Sequence, residues 1–240
     1  MKEYLKREFT LFLKTKSLMI ISLLKPILVL FALWISLTER GLDLMTVPSQ
    51  LFYALDKYLI TLLTITLSIE IITFVGCEYH YKTVLIRQTL GRWSDVLKAK
   101  ILIILIDLLI LMVVAIVLSS LLMPTIPLAV RIVEIVALII YLFYFGIIII
   151  LVIEIFHNEL AAIIFAGGTI LLSKTFLFSK YMPKPHFSTM LVYIEHLLSN
   201  VDYYRAFVTG KLWLKEFLYF TILFGLFIVA YSINRKIRNL

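Results

Sequence analysis

Long apolar runs alternate along this chain with shorter polar ones. Six runs are long enough to cross about 30 Å of hydrocarbon as helices. They are, roughly, Ser17–Thr38, Tyr58–Gly76, Ile101–Met123, Ile132–Phe156, Leu160–Phe178 and Trp213–Ile233. Within them Ile, Leu and Phe fill nearly every position without strict alternation, which fits helices that satisfy their own backbone in lipid and not barrel strands. The predicted fold class is an all-α polytopic membrane protein with six transmembrane helices in a single transmembrane domain, residues 1-240. No inverted repeat is visible.

Three polar segments carry helical patterns of their own. In residues 1–16, Leu5, Phe9 and Phe12 recur at helical spacing while Lys2, Lys6, Arg7 and Lys14 fall largely elsewhere, which predicts an amphipathic helix lying flat on the inner leaflet. Between spans five and six, after the turn-forming run YMPKPHF, Met190, Ile194, Leu197 and Val201 predict an external or re-entrant helix in the extracellular segment 179–212. The stretch Cys77 to Lys100, CEYHYKTVLIRQTLGRWSDVLKAK, places Ile86, Leu90, Trp93 and Leu97 at helical spacing, with Arg87, Gln88, Arg92, Asp95 and Lys98 on other faces and Gly91 at a bend. A connection that only joins two helices needs a handful of residues, so the length and order of this one predict a surface that touches something.

Composition and charge sharpen the picture. Of 240 residues 62% are hydrophobic and 16% charged, more apolar surface than a soluble core of this length can hide. The net charge of +8 falls mainly on one side of a six-span arrangement: Lys2, Lys6, Arg7, Lys14 and Lys16; Lys82, Arg87, Arg92, Lys98 and Lys100; Arg235, Lys236 and Arg238. By the positive-inside rule that side is cytoplasmic, which puts both termini there in a multi-pass plasma-membrane protein and assigns the charge to anionic lipid with no nucleic acid as partner. The opposite loops Glu39–Gln50 and Pro124–Arg131 hold only Arg40 and Arg131, and the basic residues of 179–212 are of the kind that long segments carry across regardless. The single cysteine, Cys77, allows no intrachain disulfide. No cleavable signal peptide is expected from the charged N-terminal sixteen residues.

Ionisable residues inside spans are costly and functional by default. At 1.5 Å of rise per residue, Lys25 lies ~12 Å and Glu70 and Asp107 each ~9 Å from the cytoplasmic end of their spans. Mixed charges at one level are expected to meet, with Lys25 bridging Glu70 and/or Asp107 near the inner gate, more to hold helices together than to bind substrate. Glu134 and Glu154, near the ends of span four, are expected to be solvated. Cys77-x-x-His80, and Glu154-x-x-His157 with Glu159, are half-sets of metal ligands without second halves, so no metal site and no catalytic residue is predicted. The run Glu154–Glu159 reads instead as a helix stop and restart, with Asn158 capping the next span.

Glu78, then Lys82-Thr83, basic residues, Gly91-Arg92, and Leu97-Lys98-Ala99-Lys100 leading into the third span resemble the cytoplasmic loop of type-2 ABC transporter permeases. That family commonly shows an acidic residue, Gly-Thr, a Pro-x-x-Arg-like turn and a hydrophobic-x-Ala-Lys lead into the next helix; here Lys82 stands where Gly is usual and Leu90-Gly91-Arg92 where a proline-led turn is usual. The resemblance implies the permease subunit of an ATP-driven exporter, paired with a second permease copy or homologue around a translocation pathway. It also implies that a separate cytoplasmic ABC ATPase docks on the coupling helix through Glu78, Lys82, Thr83, Arg87, Gly91 and Arg92. No G-x-x-x-x-G-K-[ST] cradle occurs in the chain, so ATP and Mg are expected on the partner, with no cofactor and no enzyme activity on this chain. Phe, Tyr and Ile faces suit an amphipathic or apolar cargo such as a peptide, lipid or drug-like molecule. Two other readings stay open: a secondary transporter or channel using Glu70 and Asp107, and a membrane enzyme.

Overall fold

A computed structural model describes residues 2–38, 58–84, 93–125 and 128–173, together with 225, 228, 229 and 232. The regular structure among the described residues is helical, with no strand. Helix α1 spans Lys2–Lys14, α2 Lys16–Thr38 and α3 Ile60–His80; α4 spans Trp93–Leu122, α5 Leu128–Phe156 and α6 Glu159–Ser173. The middle of α3, Ile72–Gly76, winds as a π-helix. Among the described residues four helices are long and apolar enough to cross a membrane: α2, α3, α4 and the part of α5 from Leu138 onward, with α6 shorter.

Predicted spans one to four fall on α2 to α5 and span five on α6 as far as Ser173. The rest of span five, the segment 179–212 and nearly all of span six lie outside the described residues. Boundaries need correcting where a helix outruns its apolar stretch. α4 starts at Trp93 and not Ile101, α5 at Leu128 and not Ile132, and α3 runs on to His80. Hydropathy marks where lipid ends, whereas hydrogen bonding carries a helix on into polar sequence. The stretch Cys77–Lys100 is thereby divided: its first residues end α3 and its last begin α4, with residues 85–92 outside the described set.

α3 and α5 hold the centre, and α2 and α4 flank them. Leu63, Leu67 and Ile71 of α3 and Tyr141, Phe145 and Ile149 of α5 are almost fully buried in one apolar core. The helices approach closely because Gly146 has no side chain: a Cβ there would lie 3.0 Å from Ile71 Cδ1. α2 shows the opposite face of the same logic, exposing Ile20, Leu23, Ile27, Phe31 and Trp34, a stripe that suits hydrocarbon as solvent.

α1 docks on α4 and α2, with Phe12 set edge-on to Phe74 of α3 at 5.3 Å between ring centres. The expected apolar face is corrected here. Leu5 and Phe12 pack inward, but Phe9 is exposed and Glu8 is fully buried. Spacing marked the correct turns of the helix but assigned the intervening position to the wrong residue, because an ion pair holds Glu8 inside.

Candidate functional site

Among the described residues, six of the buried charged side chains form two clusters of the same composition, each one lysine between two carboxylates. In the first, Lys25 of α2 makes ion pairs through Nζ with Glu70 Oε2 of α3 and Asp107 Oδ2 of α4. Lys25 and Glu70 are almost wholly buried, and Asp107 lies at the edge of the cluster. Ser22, one turn before Lys25, donates its hydroxyl to Asp107 Oδ1. Pro26 lies beside Lys25 and cannot donate the backbone hydrogen bond that would go to the Ser22 carbonyl, so a local backbone break coincides with the ion cluster. Lys25, Glu70 and Asp107, which depth counting put at one level, are joined here. Ser22 went unnoticed because a serine in an apolar span has no distinctive pattern.

The second cluster lies where α1, the end of α3 and the start of α4 meet. Lys100 Nζ lies 3.2 Å from Glu78 Oε1 and 3.4 Å from Glu8 Oε2, donates to the Phe74 carbonyl at 2.5 Å, and sits 4.0 Å from the centre of the Phe74 ring. All three charged residues are buried. Separating two such buried charges is expensive, whereas together with hydrogen bonds they offset much of each other's desolvation.

The residues expected to couple to an ATPase are distributed differently from one another. Glu78 faces inward onto Lys100 and accepts a hydrogen bond from the Thr83 hydroxyl through Oε2. Thr83 also donates to the Glu78 carbonyl at 3.1 Å and is half-buried. Lys82 is exposed and takes the left-handed backbone conformation, φ 55°, its N–H bonding the Tyr79 carbonyl at 3.1 Å. A helix that ends on a left-handed residue favours glycine there. Arg87, Gly91 and Arg92 lie outside the described residues.

A third cluster joins the ends of α3, α4 and α5. Glu154 accepts from the Tyr79 hydroxyl and from Trp93 Nε1, the latter at 3.2 Å. Tyr79 stacks on His157 at 5.0 Å and meets Trp93 edge-on at 5.8 Å. The expectation that Glu154 is solvated is therefore corrected: it is 3% exposed, drawn in by two aromatic donors from helices that sequence distance kept apart. The stop and restart lies at His157, φ 51°, followed by Asn158, whose Oδ1 accepts from the Leu160 N–H at 2.9 Å. His80 Nδ1 and Glu159 Oε1 lie 2.8 Å apart, joining α3 to α6. Among the described residues no group of three His, Cys, Asp or Glu side chains is placed to hold a metal ion. The Cys77 thiol lies 3.8 Å from the Phe74 carbonyl, the same oxygen that accepts from Lys100.

No family model, curated protein or solved structure matches the chain.

Proposed function

We propose that this chain is the permease subunit of an ATP-driven ABC exporter, working as a dimer with separate cytoplasmic ATPase subunits and carrying an amphipathic or apolar cargo. The observation that carries this reading is the Lys100 cluster. Both roots of the connection at 81–92, one at Glu78 and the other at the start of α4, are clamped to each other and to α1 through Glu8. An ATPase pressing on that connection would move α1, α3 and α4 as one unit and pass the displacement into the bundle. The left-handed Lys82, where the resembled family has Gly, agrees with a tight turn at the docking element.

The test is co-purification from the native membrane. A soluble ATP-binding cassette protein should come down with the intact chain, and Arg87→Ala with Arg92→Ala should leave its ATPase activity running while transport stops. A chain purified without any ATPase, and unaffected by those substitutions, refutes the reading. The Lys25 cluster favours a second reading, a carrier or channel driven by an ion gradient through Glu70 and Asp107. It predicts gradient-driven flux in vesicles that contain this chain alone.

A further inference from the structure

The Lys25 cluster holds one cation and two carboxylates, so with every group in its ordinary charged form it would carry one net negative charge inside the bundle. A single uncompensated charge in a low-dielectric interior costs several kcal/mol, which groups avoid by exchanging protons. The four carboxylate oxygens show where that proton belongs. Asp107 Oδ1 accepts from Ser22, Asp107 Oδ2 and Glu70 Oε2 both face Lys25 Nζ, and Glu70 Oε1 is buried without a hydrogen-bond partner among the described residues. Glu70 is 0% exposed, so this oxygen has no solvent to turn to.

The charged and titratable groups on neighbouring elements are engaged elsewhere. On α4, Lys100 is held by Glu8, Glu78 and the Phe74 carbonyl. On α5, Glu154 takes the Tyr79 and Trp93 donors, the buried Tyr141 packs in the core, and the buried Arg131 lies in the first turn, at the opposite end of the helix from Glu154. On α6, Glu159 pairs with His80. Among the described residues Lys25 is the cation that Glu70 and Asp107 share.

We infer that Glu70 is a protonated carboxylic acid at neutral pH, with the proton on Oε1, and that the cluster is a proton-binding site shared by α2, α3 and α4. The neutral cluster is Lys25 ammonium, Asp107 carboxylate and Glu70 acid. Release breaks the Glu70 O–H bond, leaves the electron pair on Oε1 and passes the proton outward past Asp107, the member at the cluster's edge. The cluster then carries one negative charge and α2 is less well held against α3 and α4. This assignment concerns charge state alone and holds under either transport reading.

Infrared spectroscopy of the full chain in lipid bilayers tests it, with and without isotope-labelled glutamate. A protonated carboxylic acid gives a carbonyl stretch above the amide band, and label on glutamate shifts it. In difference spectra against the wild-type chain, Glu70→Gln should remove a label-sensitive component of that carbonyl band. It should also disappear in Asp107→Asn, although Glu70 is intact there, because one carboxylate then balances one lysine. Should Glu70→Gln fail to fold, the Asp107→Asn difference spectrum with labelled glutamate reads the same proton. Absence of the band in the wild type, or no loss of that label-sensitive component in Glu70→Gln or in Asp107→Asn, each overturns the inference.

Discussion

Glu78 and Lys100, on two different helices, meet at 3.2 Å with both side chains almost wholly buried. Glu8 of α1 completes the contact from the other side, so the lysine holds α1, the end of α3 and the start of α4 together. Lys100→Met leaves two buried carboxylates without their cation and is expected to cost about 3–5 kcal/mol. Thermal unfolding of the protein in detergent should show the loss, and adding Glu8→Gln and Glu78→Gln should restore most of it. A single variant as stable as wild type would mean the cluster contributes nothing to the fold.

Lys82 has φ 55° at the end of α3. The left-handed conformation costs an L-residue with a Cβ about 1–2 kcal/mol that glycine avoids. Lys82→Gly should therefore stabilise the α3 terminus by a sizeable part of that amount, and Lys82→Val should weaken it. Amide hydrogen exchange at Lys82 and Thr83 gives the readout.

Gly76 and Gly146 allow different substitutions. A Cβ on Gly76 would lie 3.1 Å from Glu159 Cβ, the stem of a side chain fixed to the start of α6. One on Gly146 would lie 3.0 Å from Ile71 Cδ1, the free end of a side chain. Gly76→Ala should cost about 1–3 kcal/mol through overpacking that the backbone must absorb, and Gly146→Ala less, since Ile71 can change rotamer. Melting temperatures of the two variants side by side decide the order.

Tyr79 and Trp93 donate to the same carboxylate, Glu154. Tyr79→Phe removes one donor from a buried acceptor, with an expected loss of about 1–3 kcal/mol. In a Glu154→Leu background the same substitution should cost much less, and equal losses in both backgrounds would argue against the hydrogen bond as the cause.

The apolar runs made the spanning helices legible because hydrocarbon imposes a composition on every residue of a span. Lys25, Glu70 and Asp107 were legible as a set because charges in such runs are rare and rise per residue fixes their depth. Glu8 and Lys100 were not, since each sits in an ordinary basic or acidic stretch and acquires its partner only when α1 folds back on α4. Glu154 was misread for a related reason: position near a helix end says nothing about Tyr79 and Trp93 arriving from other helices. Arg87, Gly91 and Arg92 were read from resemblance to a loop pattern and lie outside the described residues.

The π-helical turn at Ile72–Gly76 has a consequence for how α3 tolerates length changes. Glu70 and Glu78 are separated by eight positions, which on a uniform α-helix would leave them about 80° apart in azimuth. A π-bulge takes up about one surplus residue, so the two carboxylates sit as though seven apart, within about 20° of each other. Both therefore meet a lysine on the same side of α3, Glu70 the Lys25 of α2 and Glu78 the Lys100 of α4. Deleting one residue between the two glutamates would let the turn straighten and keep that alignment, while adding one there would exceed what a single π-turn absorbs and swing one cluster about 100° out of register with the other.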